Sequence, residues 1–280
     1  MGTVSEDMVE VKARMDSGFY DHEEVDKGVA FMKKNFRMDF GKGTRPYSPD
    51  ELVRICVRMS VIVRDLMVGN PRLADSRVGS SQGFRADVEL AQGANAIAAG
   101  TQGQRQWTDH YPNFDVVESV LCSSFDWNGY RAPMVVATEN DSKNAIGMLV
   151  ASLITGMPQL FADIRTNWTP QSVKTATGIN VSKLAPRGFI DKRNSGAGAL
   201  DYSLDVPGLV PGSAQMSIQE VAERIRSTPA LQKQLISRAC DNTRYMAAVL
   251  GYFRGDGLSS HYRTPGGIPM TAYRYNVVGE

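Results

Sequence analysis

The 280-residue chain is 42% hydrophobic and 22% charged, the composition of an ordinary globular protein, and its length allows a sizeable core in one or two domains. Its 31 Lys and Arg stand against 30 Asp and Glu, so a net charge of +1 gives no electrostatic case for nucleic acid or an anionic membrane as partner. No apolar run approaches the ~20 residues of a membrane span, and the opening Met1-Gly2-Thr3-Val4-Ser5-Glu6-Asp7 has neither the basic start nor the apolar stretch of a signal peptide. Cys56, Cys122 and Cys240 are odd in number, far apart and without a CxxC pattern, so they read as free thiols of a reducing cytoplasm.

The first seventy residues read as helices. A helical run from Val9 to Met15 stops at Gly18. Asp21 caps a second helix with Glu23 and Glu24 in its first turn and Val25, Val29, Met32 and Phe36 on one face. Residues 39–47 form an exposed loop. Ser48-Pro49-Asp50-Glu51 then supplies a capping box with Pro at the first helical position. It opens a helix whose Leu52, Ile55, Cys56, Met59, Ile62, Val63 and Leu66 make one apolar stripe, ending at Gly69. That stripe is core.

Between Asn70 and Gly100 the pattern weakens, with a loop at 79–83 and small residues packed closely from Ala94 to Ala99. Gln102, Gln104, Arg105, Gln106, Trp107, Asp109, His110 and Tyr111 then concentrate polar groups around an indole. This suits a polyhydroxy ligand, and equally a solvated loop with a buried Trp. His110 reads as structural as readily as ligating. Phe114 to Ser123 is a short amphipathic helix with Val116, Val117, Val120 and Leu121 inward.

The stretch Met134 to Trp168 is where chemistry is expected. A short apolar run, Met134 to Ala137, delivers Thr138, Glu139, Asn140 and Asp141 at its end. A helix follows, capped by Asp141 or Ser142, with Ile146, Leu149, Val150, Leu153 and Ile154 recurring at three- and four-residue intervals. Gly156 stops it. A second apolar run, Leu160-Phe161-Ala162, leads into Asp163. Twenty-four positions separate Glu139 from Asp163, room for one crossover helix between parallel strands. Ligands of such sheets collect beyond the carboxyl ends of the strands. Asp163 sits where a β-branched or aromatic residue is expected and needs a cation, either a side chain such as Arg165 or a metal. Glu139 reads as a ligand or as a loop acid near a helix N-terminus. A carboxylate at each of two strand ends resembles half of a divalent-metal site.

Beyond Trp168, Thr169-Pro170-Gln171 opens a short helix, and Gly188-Phe189-Ile190 is a strand leading to Asn194-Ser195-Gly196. Residues 202–213 form a loop. Ser217-Ile218-Gln219-Glu220 is a second capping box, followed by a further helix from Pro229 towards Ala239, and Val277 to Glu280 read as a strand. Tyr252 reads as a core tyrosine or a site residue. No GxSxG elbow accompanies Ser195, which argues against a nucleophile.

Five blocks in order, QGQRQWTDHYPN (Gln102 to Asn113), SSFDWNG (Ser123 to Gly129), ATENDS (Ala137 to Ser142), FADIRTNW (Phe161 to Trp168) and YFRGDGLSS (Tyr252 to Ser260), closely resemble the L-fucose isomerase family. The resemblance runs nearly end to end and matches the middle of the family's polypeptide, without its leading domain and the end of its C-terminal domain. It implies a Rossmann-like α/β domain over 1–156, carrying the first metal carboxylate. The first part of a mixed α+β C-terminal domain follows over 157–280, truncated and carrying the second.

By motif match it also implies Glu139 and Asp163 as catalytic and Mn²⁺-binding residues, and Gln102, Ser195 and Tyr252 as contacts to an aldose or ketose sugar. The implied reaction converts L-fucose to L-fuculose, and also takes D-arabinose, through a cis-enediol. The family's third metal ligand is a histidine near its C-terminus. None of His22, His110 and His261 lies in a matching motif, which places that ligand beyond residue 280. A cytoplasmic homohexamer is implied as well. The alternatives are an L-arabinose isomerase-type enzyme, against which the QGQRQWTDHYPN block argues, and a non-catalytic sugar-binding or assembly module of the same fold.

Overall fold

A computed structural model describes residues 2–6, 8–40, 47–75, 86–101, 114–137, 141–160, 163–193, 198–202, 204–250 and 256–262. Its organising element is α3 (Pro49–Val68). Ser48 Oγ accepts the Glu51 N–H, Pro49 occupies the first turn, and Gly69 ends the helix at φ +78°, a conformation that favours glycine. The expected stripe is buried throughout, and Val53, Val57, Ser60, Val61, Asp65 and Met67 are buried too. The helix is therefore enclosed on most of its circumference, as a helix that is apolar nearly all round must be.

Around it stand α1 (Met8–Ser17), ending before Gly18 at φ +72°, and α2 (His22–Asn35), capped by Asp21, whose carboxylate accepts the Glu24 N–H. Val25, Val29 and Met32 of α2, and Phe36 just after it, are all buried in the core. The next neighbour is α4 (Asp115–Leu121), expected to be amphipathic. Its Glu118 and Ser119 are buried along with its valines, so α4 has no wet face. Cys56 and Cys122 are buried and Cys240 is half-buried, and no disulfide joins these three.

A parallel sheet has the order β1 (Gly2–Glu6), β3 (Ala96–Thr101), β6 (Val135–Ala137). Its central strand, AIAAGT, is built of small residues. Both α3 and α5 (Ser142–Thr155) pack on it, a close approach that its buried Ala96, Ala98, Ala99 and Gly100 allow. A second sheet has the order β10 (Asp256–Tyr262), β9 (Thr243–Leu250), β2 (Met38–Asp39), with β2 parallel to β9 and β10 antiparallel to it. So Met38–Asp39, expected at the edge of a loop, is a short strand, and β10 packs against α4 and α3. The chain is α/β.

Two expectations for the stretch after β6 are corrected. In α5 the N-cap Asp141 accepts the N–H groups of Lys143 and Asn144, and Gly156 closes the helix in the left-handed region, as the sequence indicates. Yet the buried positions are Gly147, Met148 and Ala151, while Ile146 is 59% exposed and Leu153 67%, with Val150 and Ile154 also exposed. The helix carries apolar residues on two faces, and periodicity alone cannot choose between them.

The second correction concerns Asp163. It begins β7 (Asp163–Trp168) rather than following a strand, and β7 pairs antiparallel with β8 (Phe189–Arg193), not with the parallel sheet. Among the described residues, α5 is thus no crossover between two parallel strands of one sheet.

The remainder follows its caps. In α6 (Pro170–Thr177), Thr169 and Ser172 form a reciprocal capping box, as do Ser217 and Glu220 at α8 (Ile218–Ser227), and α9 (Pro229–Asn242) follows directly. One helical turn, α7 (Val206–Leu209), interrupts the expected loop at 202–213. The loops at 41–46 and 79–83 and the strand at 277–280 lie outside the described residues.

Candidate active site

Gln102, His110, Glu139, Ser195 and Tyr252 lie outside the described residues, and Asp163 is described through its backbone. The strands that lead to them are described, and their registers carry the geometry. In the parallel sheet Gly100 pairs with Ala137. In the sequence Gln102 comes two positions after Gly100 and Glu139 two after Ala137; β3 and β6 are neighbours that run the same way, so both strands end at the sheet's carboxyl edge. The N-terminus of α5, capped by Asp141, begins beside the same edge, where its positive end favours anionic groups.

A second juxtaposition comes from the antiparallel pair. Asp163 is in register with Arg193, and Ser195 comes two positions after Arg193. The chain therefore enters β7 at Asp163 and leaves β8 towards Ser195 at one end of that pair. Tyr252 falls in the connection between β9 and β10.

Carboxylate oxygens, the donors expected of Glu139 and Asp163, are of the kind that suits a hard divalent ion such as Mn²⁺. Among the described residues no three His, Cys, Asp or Glu side chains come together as a ligand cluster. His22 belongs to the packing: its Nε2 lies 3.1 Å from the Gly18 carbonyl and its ring stacks on Tyr20.

The block SSFDWNG has a role that the sequence reading left unassigned. Its turn follows α4 and forms the β4 (Phe125–Asp126) and β5 (Gly129–Tyr130) hairpin, with Gly129 at φ +110°. Trp127 Nε1–H and the Asn128 side-chain amide donate to Glu24 Oε2 at 2.9 and 2.6 Å. Arg64 Nη1 donates to the same oxygen at 2.9 Å, and Lys27 Nζ to Oε1 at 3.0 Å. Glu24 is only 7% exposed, and burial alone would raise its pKa, but these four donors hold it down at about 2. Beside it, Arg64 also pairs with the buried Asp65, which Asn70 bridges to Asp21.

The same turn reaches the other way. Arg131 Nε pairs with Asp126, and its Nη atoms donate to the Val120 and Leu121 carbonyls, which terminates α4 with a cation at its negative end. Ser124 N–H donates to both carboxylate oxygens of Asp201, and the Leu200 N–H donates to Ser123 Oγ at 2.7 Å. Asp201 is 6% exposed, and burial pushes its pKa up to about 6 against the opposing hydrogen bonds from Ser124. A serine pair before an aromatic hairpin was the available signal. Its partner 77 positions on was not legible.

The raised pKa of Asp201 fixes the sign of a pH effect. The folded chain holds this proton more tightly than the unfolded one, so the contribution is fully present below an ordinary 3.8 and is lost as pH rises through about 6. Relative to the parent chain, Asp201→Asn should therefore be more favourable at pH 7 than at pH 4.5 in urea unfolding. An equal difference at both pH values would show that Asp201 does not titrate in this window.

The parallel strands with α3 and α5 packed on them define an α/β protein. A family model described as "L-fucose isomerase, second N-terminal domain" matches residues 1–156, over half of the chain, and the chain belongs to the L-fucose isomerase family. An L-fucose isomerase of Haemophilus influenzae (strain PittEE) is 41% identical over 277 residues, 97% of this chain and 43% of the relative. One of Escherichia coli O6:K15:H31 is 39% identical, again over 97% of this chain and 44% of its own length. The chain thus spans less than half the length of these relatives.

Proposed function

We propose that the chain is the central part of a metal-dependent aldose–ketose isomerase that interconverts L-fucose and L-fuculose and also accepts D-arabinose. The observation that carries this reading is identity near 40%, sustained over 97% of the chain, to proteins named L-fucose isomerase. The pairing of Gly100 with Ala137, two positions before Gln102 and Glu139 in the sequence, supports it. We read residues 1–156 as the middle α/β domain and 157–280 as the start of the C-terminal domain.

Glu139 and Asp163 would hold the ion, Mn²⁺ by preference, which when bound supplies Lewis-acid polarisation at the sugar's O1 and O2. One of the two carboxylates takes the C2 proton of the aldose and returns it to C1, while a hydroxyl proton passes from O2 to O1. The intermediate is a cis-enediol, and the step needs no external oxidant or reductant. Gln102, Ser195 and Tyr252 orient the sugar hydroxyls. The protein acts in the cytoplasm as a homohexamer, in which the exposed apolar face of α5 would be covered; no helix among the described residues is long and apolar enough to cross a membrane.

The 43% share of the relative favours a second reading, in which this stretch by itself is an inactive part of such an enzyme. Calorimetric titration of Mn²⁺ into the chain and its Glu139→Gln and Asp163→Asn variants separates the two. Binding lost in both variants supports the carboxylate pair. Binding retained in both sinks it. No binding by the parent favours the second reading.

A further inference from the structure

The turn between β4 and β5 holds the one Asn-Gly step in the sequence, Asn128-Gly129. The Asn128 N–H donates to Asp126 Oδ1 at 2.7 Å, and Gly129 follows at φ +110°, a conformation that favours glycine. Asn128 is exposed, and a Cβ built on Gly129 would meet nothing within 4 Å, so the step is open on that side. Asn-Gly is the dipeptide most prone to spontaneous deamidation, because no side chain on the glycine hinders its backbone nitrogen. That nitrogen bonds to the asparagine Cγ and loses its proton, and the side-chain nitrogen departs as ammonia. Water then opens the cyclic imide to aspartate or isoaspartate, with no oxidant or reductant involved.

The leaving nitrogen of this step is held by another element. Asn128 Nδ2 donates to Glu24 Oε2 at 2.6 Å, an oxygen that also accepts from Trp127 Nε1 and Arg64 Nη1 at 2.9 Å each. An ionised acceptor faces only the nitrogen side of an amide, so the side chain has one orientation. Closing the ring swings Cγ onto the Gly129 nitrogen, and a side chain tethered to α2 resists that swing. We infer that Asn128-Gly129 is a deamidation site that Glu24 restrains while the hairpin is docked on α2, and that its product undocks the hairpin. The aspartate form sets a second carboxylate against Glu24 where a donor stood. The isoaspartate form adds a methylene to the main chain of a two-residue turn, which breaks the pairing of Asp126 with Gly129.

The test incubates the 280-residue chain at mildly alkaline pH beside its Glu24→Ala, Glu24→Gln and Met59→Ala variants and a synthetic peptide of residues 123–131. Mass spectrometry of digests maps the exchange of amide for acid. Asn128 is expected to convert about ten- to a hundredfold more slowly in the chain than in the peptide, the worth of a hydrogen bond to a charged group. Glu24→Ala should bring the rate close to the peptide's. Glu24→Gln keeps a neutral acceptor, should fall between the two, and serves if the alanine variant fails to fold. Met59→Ala loosens the buried core without removing a bond to Asn128, and should leave the rate near the parent's. A parent as fast as the peptide, Glu24 variants as slow as the parent, or Met59→Ala as fast as Glu24→Ala overturns the inference. For the product, Asn128→Asp should speed amide hydrogen exchange at 123–131 more than Asn128→Ser, which removes the amide without adding charge. Equal exchange in those two variants overturns the undocking.

Discussion

Glu139→Gln, made in a polypeptide extended to the full length of the relatives, is expected to lower L-fucose isomerisation by about 10²–10⁴-fold, the usual contribution of a placed proton-transfer group. Asp163→Asn should fall in the same range. Both changes keep side-chain volume and remove the negative charge, so a carboxylate that binds metal or moves a proton loses its role while the fold persists. Steady-state turnover beside a thermal melt reads this directly. Activity within tenfold of the parent would remove that residue from the chemistry. Because groups acting as one unit are not additive, the double variant should be little worse than the poorer single one.

The second large effect falls on stability. Glu24→Ala should destabilise the chain by about 3–5 kcal/mol, the cost of breaking a buried ion pair from one side. It would leave Arg64 beside Asp65 without its second carboxylate and would orphan the Trp127 indole N–H and the Asn128 amide. Glu24→Gln retains an acceptor and should cost less. Since the Glu24 pKa is held down at about 2, its contribution is present above an ordinary 4.5 and is lost as pH falls towards 2. The gap between parent and Glu24→Gln in urea unfolding should therefore shrink on acidification. An alanine variant within about 1 kcal/mol of the parent would mean that these donors find water instead.

Glu24 and Asp201 also show where a sequence stops being legible. Both lie in or near well-marked local features, a helix first turn and a buried run, yet Glu24 draws Arg64, Trp127 and Asn128 from 40, 103 and 104 positions away, and Asp201 draws Ser124 from 77. The capped helices were readable because capping is short-range: Asp21, Ser48, Asp141, Thr169 and Ser217 each bond a backbone N–H within three residues. The parallel sheet was only partly readable. β6 announces itself with two valines in three residues, whereas GTVSE and AIAAGT dilute their β-branched residues among Gly, Ala, Ser and Glu, and they become strands by pairing with each other. The face α5 buries was undecidable for a related reason, since helix periodicity reports apolar positions and not which neighbour covers them.

For the candidate site, the local sequence supplied the residue types: a carboxylate just past β6, an acid inside an apolar run and a polar cluster after β3. Family resemblance then gave them roles. Tertiary structure alone decided that Gln102 and Glu139 follow one registered pair, that Asp163 starts an antiparallel strand instead of ending a parallel one, and that Ser123, Ser124 and Asp201 join the two halves. The physical reason is the range of the forces. Caps and turns satisfy backbone groups within a few residues, while strand register and buried carboxylates are fixed by partners that only the folded chain brings near.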